Sequence, residues 1–119
     1  MRSFLLVTLQ LLTFGVSAAE DAPDIQCNYS GNQQEMNACA VRDFKAADRS
    51  LNDKYKKIML SLTPKKQQLL RLEQRAWLKQ RDPKCKEGAR LSEGGSIWPL
   101  EFFGCLDSIT RQRTEVLGQ

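Results

Sequence analysis

Apolar side chains recur along this chain in steps of three and four. From Met36 they fall at Ala40, Phe44, Ala47, Leu51, Tyr55, Ile58 and Leu62. That spacing keeps one stripe on one face of a helix of about seven turns. Asn32 suits the N-cap, and Glu35 three residues later completes a capping box. Thr63-Pro64 stops the run and starts another, because proline fits the first turn of a helix but not its interior. In the second run Leu69, Leu72 or Glu73, Ala76 and Gln80 form one stripe, and Leu70, Gln74, Trp77 and Arg81 its neighbour. Pro83 predicts an end or kink near Arg81-Asp82, followed by a loop over 83–95 rich in Lys, Glu and Gly. Ser96 offers a cap and Pro99 a first-turn proline for a third helix. Phe102, Cys105, Ile109, Arg113 and Val116 share a face there, and Gly118 can terminate it.

No strand-like alternation and no internal repeat occurs. The pattern predicts an all-α domain, a three-helix up-down-up bundle, with the short Thr63-Pro64 turn making the first two helices antiparallel.

Ahead of these elements, residues 1–19 read as a secretory signal. Arg2 gives a positive start, Phe4 to Val16 an apolar run, and Ser17, Ala18 and Ala19 the small residues of a cleavage site. Cleavage after Ala18 or Ala19 leaves a single domain over 20–119. No cysteine abuts the cleavage site, so the sequence predicts a protein without a membrane anchor once the leader is removed, exported to the periplasm.

Export changes the reading of the four cysteines, Cys27, Cys39, Cys85 and Cys105. An even count in a short exported chain points to two disulfides. Given the predicted helix ends, all four lie near the end of the bundle opposite Thr63-Pro64, so the bridges would staple that end. Both local pairing (27 with 39, 85 with 105) and pairing across helices fit this placement. The chain has no histidine, which removes Ser-His and Cys-His nucleophiles and imidazole metal sites. Without CxxC spacing a zinc site has little to stand on. No metal, cofactor or catalytic residue is expected, and the chain does not read as an enzyme.

Net charge is +4, or +3 without Arg2, and it is unevenly spread. Residues 20–53 carry −4, residues 54–90 carry +9 and residues 91–119 carry −2. A basic centre between acidic flanks is expected to be neutralised within the fold rather than by nucleic acid, which an exported chain rarely meets. Arg81 is expected to pair with an acid such as Asp43, with Trp77 in the core. Asp48 and Asn52, one turn apart, read as a polar ladder. Arg113 should snorkel or pair with a carboxylate of the first helix.

Taken in order, a set of segments resembles a known family. These are Gln34-Glu35-Met36-Asn37-Ala38-Cys39-Ala40, Ala47-Asp48, Leu51-Asn52 and Tyr55, then Gln74, Ala76-Trp77, Arg81-Asp82 and Cys85. Gly94-Gly95-Ser96-Ile97, Cys105-Leu106, Thr110, Arg113 and Leu117 complete it. The chain is similar to the LprI-like family of small exported proteins, named after a lysozyme inhibitor. The resemblance implies binding to a lysozyme or another cell-wall hydrolase. The alternative is an envelope binding module for peptidoglycan or another exported protein. An inhibitor has to block a cleft with two working carboxylates, and the segment Lys84 to Ile97 suits that task. Lys86, Arg90 and Ser96 supply donors, Gly94 and Gly95 permit close backbone approach, and Cys85 pins the base. Trp98 is either a contact residue or a lid on the core.

Overall fold

The computed structural model describes residues 24–119, and the expected leader lies outside them. Three helices follow in order: α1 over Gln33–Ser61, α2 over Pro64–Gly88 and α3 over Trp98–Val116, with a 3-10 turn at Arg90–Ser92. The predicted capping box forms. The Glu35 N–H donates to Asn32 Oδ1 at 2.9 Å, and the Asn32 N–H donates to Glu35 Oε1 at 3.2 Å. Thr63 caps α2 through Lys66 N–H, with Pro64 in its first turn.

Long-range contacts fix the topology. Asn37 meets Ser96, Phe44 meets Phe103, and Lys54 meets Thr114. The partner thus advances with α1 at a nearly constant offset of about sixty residues, so α3 runs parallel to α1. Leu70 clusters with Leu51 near one end and Arg81 reaches Asp48 further along, so α2 runs antiparallel to both. The bundle is up-down-up, with α3 lying closest along α1. Ala40 and Ala47 are among the buried residues of α1, and side chains this short let a neighbouring helix approach closely.

Two apolar clusters fill the bundle. At one end Cys85, Ala89, Phe102 and Leu106 pack with Phe44, Trp98, Phe103, Cys105 and Ile109. At the Thr63-Pro64 end Leu51, Leu70 and Leu117 pack with Tyr55, Ile58, Met59, Leu62 and Trp77. Burial of such side chains contributes roughly 1.5–3 kcal/mol each. Disulfides Cys27–Cys39 and Cys85–Cys105 select local pairing from the three connectivities compatible with the sequence. The first ties the leading segment to α1, and the second joins α2 to α3.

Several expectations are corrected. Pro83 lies inside α2, which continues to Gly88. The amide it lacks would have served the carbonyl of Lys79, an exposed residue where water can substitute. Beyond the proline, the disulfide at Cys85 and the buried Ala89 hold the chain in place. Lys84 and Lys86 are therefore helical, and the loop shortens to Ala89–Ile97. Ser96 does not cap α3. The cap position is Ile97, without a side-chain cap bond.

Of the two α2 stripes, the one with Leu70, Gln74, Trp77 and Arg81 faces inward, while Leu69 and Leu72 are exposed. On α3 the fully buried line is Phe102, Leu106 and Thr110, continued by Leu117 just past its end. Cys105, Ile109 and Arg113 are half-buried and Val116 is exposed. Gly118 does end the helix, with φ of 81°. The positive φ favours glycine, and a Cβ there would also push the Ile58 terminal methyl aside, at 2.6 Å from Cδ1.

Candidate functional site

The Ala89–Ile97 loop is built outward from a buried root. Ala89 is 2% exposed, and the Cys85–Cys105 bridge lies one turn before it. Backbone bonds then close the loop on itself: Ser92 N–H to Ala89 O at 3.2 Å, Glu93 N–H to Arg90 O at 3.2 Å, and Gly95 N–H to Ser92 O at 2.9 Å. Trp98 N–H reaches back to Gly95 O at 3.3 Å. The Ser92 hydroxyl bonds the Glu101 carboxylate, tying the loop to the first turn of α3. From the other side, Asn37 Nδ2 of α1 donates to Ser96 O at 2.8 Å. Gly94 adopts φ of 79°, a conformation that disfavours other residues, and a Cβ on Gly95 would press on Ser92 O at 3.1 Å.

Of the residues expected to bind a partner, Arg90, Gly94, Gly95 and Ser96 share this loop and are exposed. Lys86 stands nearby on the last turns of α2, also exposed. Arg90 Nε lies 3.3 Å from Glu87 Oε1 in a solvent-facing pair of little energetic weight. Trp98 is half-buried. Its ring stacks on Phe102 at 4.6 Å between centroids and packs against the disulfide-end cluster. Leu91 was missed by the sequence reading. It is 93% exposed on the 3-10 turn, and its signal was being an apolar residue inside an otherwise polar segment.

A polar layer separates the two apolar clusters. Arg81 Nη1 donates to Asp48 Oδ1 at 3.0 Å and its Nε to Asp82 Oδ1 at 3.0 Å. The guanidinium also lies 5.1 Å from the Phe44 ring centroid and 5.5 Å from that of Trp77, within cation–π range. Asp48, five residues beyond the expected Asp43 and on a different side of the helix, is thus the acid of α1 that Arg81 meets. Arg113 turns toward α2 rather than α1. Its Nε donates to Gln74 Oε1 at 3.0 Å, and its guanidinium lies 5.8 Å from the Trp77 ring.

Asp43 serves a third cluster on the other side of α1. Tyr29 Oη donates to its carboxylate, and Arg42 lies 2.9 Å away. The hydrogen bond from Tyr29 holds the Asp43 carboxyl below its ordinary range, aided by Arg42. The same bond, with desolvation and the negative charge of Asp43, pushes the Tyr29 phenol up. Nearby, Asp107 raises Arg111 through a 2.7 Å hydrogen bond. This cluster fastens the leading segment to α1.

No helix among the described residues is long and apolar enough to cross a membrane. A family model described as lysozyme inhibitor LprI matches residues 25–117. An uncharacterised protein of Rhizobium meliloti (strain 1021) is 31% identical over 122 residues, covering 92% of this chain and 88% of its own length. No solved structure matches. The family match takes in all three helices, all four cysteines and the Ala89–Ile97 loop: the chain belongs to the lysozyme inhibitor LprI family.

Proposed function

We propose that this protein is exported to the periplasm, where it binds a lysozyme or a related peptidoglycan-cleaving enzyme and blocks its cleft with the Ala89–Ile97 loop. Family membership supports the target. The observation that carries the choice of surface is Leu91, 93% exposed on the 3-10 turn of a loop tied down by its own backbone bonds.

A glycosidase cleft presents two carboxylates flanking a sugar-binding trough. Lys86 and Arg90 offer cationic donors to those carboxylates, and Leu91 offers apolar bulk to the trough. Arg90 exchanges a weak solvent-exposed partner, Glu87, for a desolvated one. Gly94 and Gly95 keep the loop narrow, and Trp98 and Ser96 support it, one by stacking on Phe102 and the other by its bond to Asn37. A loop already closed on itself loses little entropy on binding, which favours tight association. The protein acts by occupancy, without turnover.

Titration of the oxidised protein, without its leader, into a turbidity assay of cell-wall lysis tests this reading. Animal-type and goose-type lysozymes should be used at low and moderate salt. Stoichiometric loss of lysis is expected with at least one class. Leu91→Asp should weaken it at least tenfold while circular dichroism stays unchanged. Full lysis at large molar excess with every class rejects the proposal.

A further inference from the structure

Between α2 and α3 runs a groove of about 300 Å³ lined by Trp77, Gln80, Arg81, Lys84, Ile109, Gln112, Arg113 and Val116. Three of those residues are cations and none is a carboxylate. Arg81 is neutralised by Asp48 and Asp82. Among the described residues no carboxylate forms an ion pair with Arg113 or Lys84.

Arg113 is the informative member. It is half-buried, yet the group that fixes it is the neutral amide of Gln74, itself only 7% exposed. A glutamate at that position would have cancelled the charge. A buried glutamine orients the guanidinium through Nε and leaves its charge uncompensated beside the Trp77 ring. Guanidinium groups held in this way suit bidentate recognition of a carboxylate. The rest of the lining is chemically different. Trp77, Ile109 and Val116 give an apolar wall, and the amides of Gln80 and Gln112 can bond hydroxyl groups. The volume suits a single ring.

We propose that this groove binds a carboxylated sugar, with the carboxylate on Arg113 and Lys84 and the ring against Trp77. It is a different surface from the Ala89–Ile97 loop and does not rest on the inhibitor reading.

The test is side-chain NMR of the full oxidised protein. Its probes are N-acetylmuramic acid, the neutral N-acetylglucosamine, and acetate as a free carboxylate. The acidic sugar is expected to shift the Trp77 indole N–H and Arg113 Nε–H signals saturably, in the millimolar range. The neutral sugar and acetate should leave both in place at equal concentration. Arg113→Gln and Gln74→Glu should each weaken binding read at the Trp77 indole N–H at least tenfold. Gln74→Glu is the sharper variant, since it keeps Arg113 bonded while neutralising it. Equal binding of the neutral sugar or of acetate, no response to any probe, or a Gln74→Glu variant that binds as well as wild type overturns the proposal.

Discussion

Asn37 and Ser96, 59 residues apart, are joined by a 2.8 Å hydrogen bond from the asparagine amide to the serine carbonyl. It carries the second turn of α1 to the last residues of the exposed loop, and it is the loop's tie to the helix farthest from it in sequence. Asn37→Ala leaves the Ser96 carbonyl to water. The expected loss of stability is about 1 kcal/mol. Faster hydrogen exchange should appear at the Gly95 and Trp98 amides, whose bonds lie just within this tie. Unchanged exchange would mean that the loop is held from α2 and α3 alone.

The two disulfides should contribute unequally. Both close short segments, with sequence separations of 12 and 20, and chain entropy alone assigns each roughly 3 kcal/mol. Cys85 belongs to a buried cluster and its bridge joins two helices at the root of the loop. Cys39 is as buried as Cys85, but its partner Cys27 lies on the largely exposed leading segment outside the helices, so that bridge joins no two helices. Urea unfolding of the Cys85→Ala/Cys105→Ala double variant should show the larger loss of stability. The Cys27→Ala/Cys39→Ala variant should keep the bundle and the Ala89–Ile97 loop. Equal losses would contradict this ranking.

The Tyr29–Asp43 pair predicts opposite effects at the two ends of the pH scale. Asp43 titrates below its ordinary value of 3.8, so its stabilising share is complete above that value and is lost as pH falls through the lowered one. Tyr29 titrates above 10.0, so its share is complete below that value and is lost as pH rises through the raised one. Phenolate absorbance reports this directly, as the difference between wild type and Tyr29→Phe. Asp43→Asn should lower the Tyr29 value toward the ordinary one. Identical titration curves in wild type and variant would show that the bond does not persist in solution.

Thr110 is fully buried, and its Oγ1 has no hydrogen-bond partner among the described residues. A valine has nearly the same shape and removes the unpaired hydroxyl. Thr110→Val should therefore stabilise the bundle by ~1 kcal/mol, which raises Tm by about 4–8 °C for a domain of this size. Thermal unfolding measures it, and a lowered Tm would refute the assignment.

The helices were legible because their signals are local. The Asn32–Glu35 box, Thr63-Pro64 and Gly118 each act within one turn, and the α1 stripe repeats often enough to show its period. Pro83 misled because its cost depends on what anchors the chain beyond it, and those anchors, Cys85 and Ala89, act through tertiary contacts. The inward face of α3 was displaced for a related reason. Thr110 is polar in composition yet fully buried, whereas Val116 is apolar yet exposed. Of the loop residues, the glycines and the basic side chains could be read from composition. Leu91 could not, because a single apolar residue in a polar segment looks the same whether it turns in or out. The acid facing Arg81 is Asp48 rather than Asp43, since the five residues between them put the two on different sides of α1.

The parallel pairing of α1 with α3 has a bearing on the order in which the protein acquires structure. Its most extensive helix contact joins the two segments most distant along the chain, and Phe102, Leu106 and Leu117 of both apolar clusters come from the final twenty residues. A chain emerging amino end first can wind α1 and α2 and can close Cys27 on Cys39. It has little to bury until α3 arrives. Folding must then wait for α3, and contacts between segments so remote are slow to form. Until that moment Cys85 has no mate, and the bridge beneath the exposed loop is the last covalent bond to be made.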